Sequence, residues 1–215
     1  MLVLVTPPDP IVTRDEAKKH LRIDHVDDDA YIDALVETAT ASIDGRDGWL
    51  GRALAPQTWD LRLDRNTVWQ GSAVRLPLPP LISVEWIKYR DRDGGEQTYA
   101  AGNYRVSGVG TYGAVSLRSG AVWPAVDDGD DAVTIRFRAG YQAGDPPAAA
   151  VPAPIKHAIL LMVGHLYSIG GENLFLRRET VEGVSSREWT VSETAGKILT
   201  AAAERLLAPY KVWSL

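Results

Sequence analysis

Residues 154–169, Pro154-Ile-Lys-His-Ala-Ile-Leu-Leu-Met-Val-Gly-His-Leu-Tyr-Ser-Ile169, form the most apolar helical pattern in the chain. Ile155, Ile159, Met162, Val163 and Leu166 recur at the three-and-four spacing that gathers side chains on one helix face. Leu160, Leu161 and Tyr167 widen that stripe until little polar surface is left. Pro154 suits the first turn, where its missing N–H costs nothing. Gly170-Gly171 suits the stop, because glycine takes the left-handed conformation that closes a helix. Sixteen residues fall short of a membrane span, and Lys156, His157 and His165 argue against lipid. Such a helix needs other helices over more than one of its sides.

Those helices are predicted at the far ends of the chain. Thr13-Arg-Asp-Glu16 is a capping box and opens a short helix ending near Leu21. A second helix starts within Asp27-Asp28-Asp29, where acidic residues suit backbone capping and the positive end of the dipole. Its apolar face is Ile32, Leu35, Val36, Ala39 and Ile43. A last helix, Thr194 to Leu207, carries Ile198, Leu199, Ala202 and Leu206, and Pro209 ends it.

Between Pro56 and Pro154 the period changes from helical to alternating. Strands are predicted over 58–64, 82–90, 96–99, 104–106, 114–118 and 133–139, separated by turn signals such as Asp91-Arg-Asp-Gly-Gly95. Leu76-Pro-Leu-Pro-Pro80 is too rich in proline for a central strand. The N-terminal run, residues 1–6, reads as a strand or extended arm, since it has no basic segment or cleavage site of a signal peptide. The fold class predicted is α+β. Residues 1–55 and 148–215 make a discontinuous helical domain, and 56–147 an inserted antiparallel sandwich or barrel. Residues 171–190 read as a long polar loop.

The chemistry on offer is thin. The chain has no cysteine, which excludes disulfides, thiolate metal sites and cysteine nucleophiles. A net charge of −5 gives no global signal for binding nucleic acid. Gly108-Val-Gly-Thr-Tyr-Gly113 matches a dinucleotide fingerprint, but a strand follows it where the pyrophosphate needs a helix N-terminus. His157 and His165 stand two turns apart, too far to grip one metal alone. No catalytic constellation is found, and no cofactor or metal is expected. Trp69, Tyr112 and Trp123 leave room for a rival reading as a carbohydrate- or ligand-binding β module.

Several stretches, taken in order, resemble the head–tail connector (adaptor) family of tailed double-stranded DNA bacteriophages and gene transfer agents. They are TRDEAKKHLRID (13–24), DDDAYIDALVETATASI (27–43), GRALAPQTW (51–59), PLPPLISVEWI (77–87), PIKHAILLMVGHLY (154–167) and LLAPY (206–210). The resemblance is to the larger subgroup that carries a β domain. It implies a non-enzymatic ring, commonly of twelve subunits, at the head–tail junction of a particle assembled in a bacterial cytoplasm. The ring sits under the portal protein, extends the DNA channel and presents a surface to the next neck or tail-completion protein. DNA passes through without sequence-specific binding, and no membrane is involved. On this reading the tail, with Leu207, Pro209, Tyr210, Lys211, Val212, Trp213 and Leu215, docks on the portal. Asn173, Arg177, Arg178, Arg187 and Trp189 would line the channel or a subunit interface. Another neck or tail-completion protein is the near alternative.

Overall fold

The computed structural model describes residues 1–65, 73–142, 150–171, 178–181, 185–188 and 193–213, with side chains from 171 to 195 left aside. Its chain divides into two compact units: residues 10–42 with 152–211, and residues 1–9 with 43–151 and 212–215.

The first unit is built on four helices: α1 (Arg14–Leu21), α2 (Asp29–Ala41), α3 (Ala153–Gly171) and α4 (Glu193–Leu207). The capping box forms as the sequence predicts. The Glu16 N–H donates to the Thr13 hydroxyl at 3.2 Å, and the Thr13 N–H to the Glu16 carboxylate at 2.9 Å. Helix α3 runs through its terminal glycines and packs against α4, α2 and α1. Ile155, Ala158, Ile159 and Val163 are fully buried, while Met162 and Leu166 of the expected stripe are half-buried. Helix α2, which packs on α3, buries Ile32, Leu35, Val36 and Ala39, each large side chain adding roughly 1.5–3 kcal/mol by leaving water.

Two expectations about these helices need correction. The buried side of α4 is Ala203 and Leu207 with Leu199 and Leu206 half-buried, a spacing of four, three and one. Ile198 lies a hundred degrees round the helix and is 63% exposed. The aspartates before α2 do not cap it through their side chains either. Asp28 occupies the cap position without a side-chain bond to the backbone and accepts instead from the Tyr167 hydroxyl at 2.6 Å. Asp29 pairs with Lys18 at 2.6 Å and with Arg14 at 3.3 Å. The acidic run thus ties α2 to α3 and to α1.

Inside the stretch read as a loop, β9 (Arg178–Val181) and β10 (Ser185–Glu188) pair antiparallel. Glu179 pairs with Arg187 and Arg178 with Glu188 in their register. A short alternation of polar residues gives no apolar periodicity, so sequence pattern passes over it.

The second unit is a pair of antiparallel sheets. One has the order β1-β2-β8-β4-β5, from β1 (Leu2–Thr6), β2 (Gln57–Leu63), β8 (Val133–Ala139), β4 (Leu81–Arg90) and β5 (Glu96–Thr98). The other has the order β3-β7-β6, from β3 (Ala73–Arg75), β7 (Ala114–Leu117) and β6 (Tyr104–Ser107). Both sheets contribute to one core, with Trp59, Ile87, Ile135 and Phe137 from the first and Val74, Tyr104 and Val115 from the second. The alternation of β8 is complete: Val133, Ile135, Phe137 and Ala139 are buried, and Thr134, Arg136 and Arg138 face the other way.

The division differs from the predicted domain limits at the N-terminus. Residues 1–9 belong with the sheets, because β1 pairs with β2 from Leu2↔Leu61 to Thr6↔Thr58. An apolar run of five residues, Met1 to Val5, does not announce which partner it will take.

Candidate interaction site

The site of interest is the C-terminal segment and the loop that receives it. Leu207, the first member of the predicted docking set, is buried at the end of α4. Ala208–Tyr210 form one 3-10 turn with Pro209 in it, and the Lys211 N–H closes on the Ala208 carbonyl at 3.3 Å. The chain is then handed to the sheet unit. The Val212 N–H donates to the Leu50 carbonyl at 2.9 Å, and Val212 lies over Gly51. Trp213, the next residue, presents 71% of its surface. Leu215 lies outside the described residues.

The receiving loop, residues 43–57, is held from within. The Leu50 N–H bonds the Ile43 carbonyl at 3.3 Å, and the Gly45 N–H bonds the Arg52 carbonyl at 2.9 Å. Arg52 donates to the Tyr141 hydroxyl at 2.6 Å. Half-buried Asp44 accepts from the Leu54 N–H at 2.7 Å and from the Gln57 side-chain amide at 3.1 Å. Gln57 in turn accepts from the Trp59 indole N–H at 3.1 Å. Gly51, Arg52, Leu54, Gln57 and Trp59 are the core of the GRALAPQTW stretch, so what looks like a motif is the framework of this loop. Asp44 was not legible as its hub, since a lone aspartate before glycine reads as a helix end.

Burial pushes the Asp44 carboxyl above the ordinary carboxylate range, against the bonds from Leu54, Gln57 and Gly45 that pull it down. The folded chain therefore holds this proton more tightly than the unfolded chain. Stability from this group falls as pH rises from the ordinary carboxylate range through the raised value, and is level above it. Asp44→Ala is expected to cost about 2 kcal/mol at neutral pH, because the Leu54 N–H and the Gln57 amide lose their acceptor. The penalty should grow toward the acid end of that window. Urea denaturation at several pH values measures both; a penalty that shrinks on acidification contradicts the account.

Other predicted positions are placed as follows. Arg178 and Arg187 sit on β9 and β10, whereas Asn173, Arg177 and Trp189 lie outside the described residues, as does Trp69. Trp123 is half-buried against Tyr99, with ring centroids 5.4 Å apart, in a depression with no interior space for a water molecule. It packs the core edge and forms no open aromatic shelf. Gly108 makes a turn with φ +72°, where a Cβ would lie 1.9 Å from the Tyr112 carbonyl oxygen. That turn joins β6 to β7, which places the glycine motif in a hairpin. Its tip exposes Tyr112. His20 and His157 meet edge to face at 6.2 Å. Among the described residues no three acidic or histidine side chains gather as a metal site, and no helix is long and apolar enough to cross a membrane.

No family model matches the sequence, and no curated protein does. Solved structures match it over its whole length. A chain of the neck of an empty gene transfer agent (GTA) particle, computed with C6 symmetry, has a TM-score of 0.69 at 22% identity; the match covers 100% of this chain and 97% of that one. The fold is shared from end to end. A chain of the neck of a native GTA particle, computed with C12 symmetry, gives 0.67 at 22% identity over the same shares of the two chains. A chain of the virion of a native GTA particle gives 0.65 at 25% identity, again with 100% and 97% covered.

Proposed function

We propose that this chain is a structural component of the neck of a GTA-like or tailed-phage particle, and within it the head–tail connector. The observation that carries this reading is the end-to-end match with chains of GTA particles. The symmetries of those necks favour a cyclic assembly, in which one surface of each copy meets a different surface of the next. In this reading the chain forms a ring under the portal, extends the DNA channel and offers a docking surface to the neck or tail-completion protein beyond. Trp213 and its neighbours are the portal anchor. A net charge of −5 suits a passage through which DNA slides without sticking.

Native mass spectrometry of the chain with and without its cognate portal tests this. The expected result is a monomeric or weakly associated free chain that joins the portal as a ring of six or twelve copies. A chain that ignores the portal but joins a purified tail tube would move it to another place in the neck. A tight dimer indifferent to both would overturn the reading.

A further inference from the structure

We propose that the outward face of the five-stranded sheet is a seat for the phosphate backbone of double-stranded DNA, with Arg138 as its first contact. The face follows from strand alternation. The inward residues of β2, β8 and β4 fill the core, so Asp60, Arg62, Arg136, Arg138, Trp86 and Lys88 point the other way. The ladder sets them in three rows: Arg62↔Thr134↔Lys88, Asp60↔Arg136↔Trp86 and Thr58↔Arg138↔Ser83. These rows hold four cations and one carboxylate, in a chain whose net charge is −5. The cations are open to a ligand in different degrees. Arg136 is committed to Asp60, through bonds of 2.7 and 2.8 Å. Arg62 and Lys88 are held from the margins, by Asp131 at 3.6 Å and Glu96 at 2.6 Å, with 39% and 34% of their side chains in water. Pairs this exposed contribute little and are screened by salt, so an anion of higher charge density displaces them. Among the described residues Arg138 has no ion-pair partner. It is half-buried between the hydroxyl residues Thr58 and Ser83, and its fork is left for an incoming anion.

The rest of the face decides which class of anion it suits. A protein partner is met by an apolar centre, with charge kept to the rim. Here the order is reversed. The one large apolar group, Trp86, lies under Arg136 and Lys88, 4.5 and 5.0 Å from its ring centroid, and cations hold the centre. Interfaces with DNA are polar and positive, and Arg, Lys, Ser and Thr are among the side chains that meet phosphate oxygens. Such contacts carry no base sequence. With at most four phosphates neutralised, affinity falls about a hundredfold between roughly 50 and 200 mM salt, so a duplex is met without being held. That this duplex is one passing through a particle rests on the neck reading; the binding itself does not.

Fluorescence anisotropy of a short labelled duplex of mixed sequence, titrated with the full chain at low salt, tests this. Binding is expected, with log K falling against log salt at a slope of roughly −3 to −4. Arg138→Ala should weaken it about tenfold and make the slope shallower by about 1. Arg105→Ala, the same loss of charge at an exposed position of β6 in the other sheet, should change neither. If R138A melts early, Lys88→Gln takes its place with the same expected result. A chain that does not bind the duplex at low salt overturns the proposal. So does a loss at Arg105 equal to that at Arg138. A polyglutamate competitor that displaces the duplex at lower charge concentration also overturns it, and makes an acidic protein segment the occupant. A chain that binds the duplex through Arg138 yet ignores the portal keeps this seat and overturns the neck reading alone.

Discussion

Removing residues 209–215 is expected to abolish attachment of the protein to filled heads while lowering its melting temperature by only a few degrees. The small stability cost follows from how the tail is held. Leu207, the last buried side chain of α4, is retained in the truncation. The losses include the bond from Val212 to the Leu50 carbonyl and the packing of Val212 over Gly51. That amounts to about 1 kcal/mol, or roughly 2–4 °C in a domain of this size. The large functional cost follows from Trp213, which spends 71% of its surface on solvent in the isolated chain. Filling a partner's pocket with one such aromatic contributes about 2 kcal/mol or more, repeated by every copy in a ring. Trp213→Ala alone should therefore remove most of the attachment. Differential scanning calorimetry and a head-binding assay separate the outcomes. Unfolding on truncation would make the tail part of the core, and normal head binding would show that the anchor lies elsewhere.

Arg136→Ala is expected to destabilise the sheet unit by about 3 kcal/mol, or roughly 6–12 °C in melting temperature. Arg136 makes a two-pronged contact with Asp60 across β8 and β2, at 2.7 and 2.8 Å. Asp60 is 7% exposed, so removing its partner strands a carboxylate away from water. The guanidinium also lies 4.5 Å from the Trp86 ring centroid, with the Lys88 ammonium 5.0 Å from the same ring. Hydrogen bonding to Asp60 raises the Arg136 pKa, the direction expected of a charge held by its partner. Arg136 keeps 28% of its side chain in water, which places the cost at the low end for a buried pair. Arg136→Lys should recover part of the loss, as a point charge without the fork. The double change Asp60→Leu with Arg136→Met should recover most of it, because no charge is then buried. A thermal melt of the three variants checks the order; an Arg136→Ala chain as stable as wild type would mean that water reaches Asp60.

Patterns set by one-dimensional periodicity were legible in the sequence. The buried residues of α3, the capping box at Thr13 and the alternation of β8 all depend on neighbours a few positions away, and these came through. What failed depends on partners far along the chain. Ile198 carries the same hydrophobicity as Leu199, and only the position of α3 decides which of them turns inward. Asp28 looks like a cap until Tyr167 arrives from 139 residues on. β1 is an apolar run whose mate, β2, begins after both N-terminal helices. The same limit applies to the candidate site. The tail was visible because proline ends a helix and the residues after it are apolar, whereas the loop that receives Val212 is assembled from Asp44, Arg52, Gln57 and Tyr141, which no spacing rule connects.

The order of the units along the chain also governs how the protein emerges from the ribosome. Both sheets are complete once β8 has been made, and β1 waits only for β2 to find its place. Helix α2 is less fortunate, because its main packing partner, α3, begins 112 residues after α2 ends. At synthesis rates of roughly 5–20 residues per second that interval is about 6–22 s. Throughout it Ile32, Leu35, Val36 and Ala39 form an apolar stripe on a nascent helix that has α1 but not α3 to pack on. The stripe on α2 is then the surface that stays longest without its main partner during synthesis.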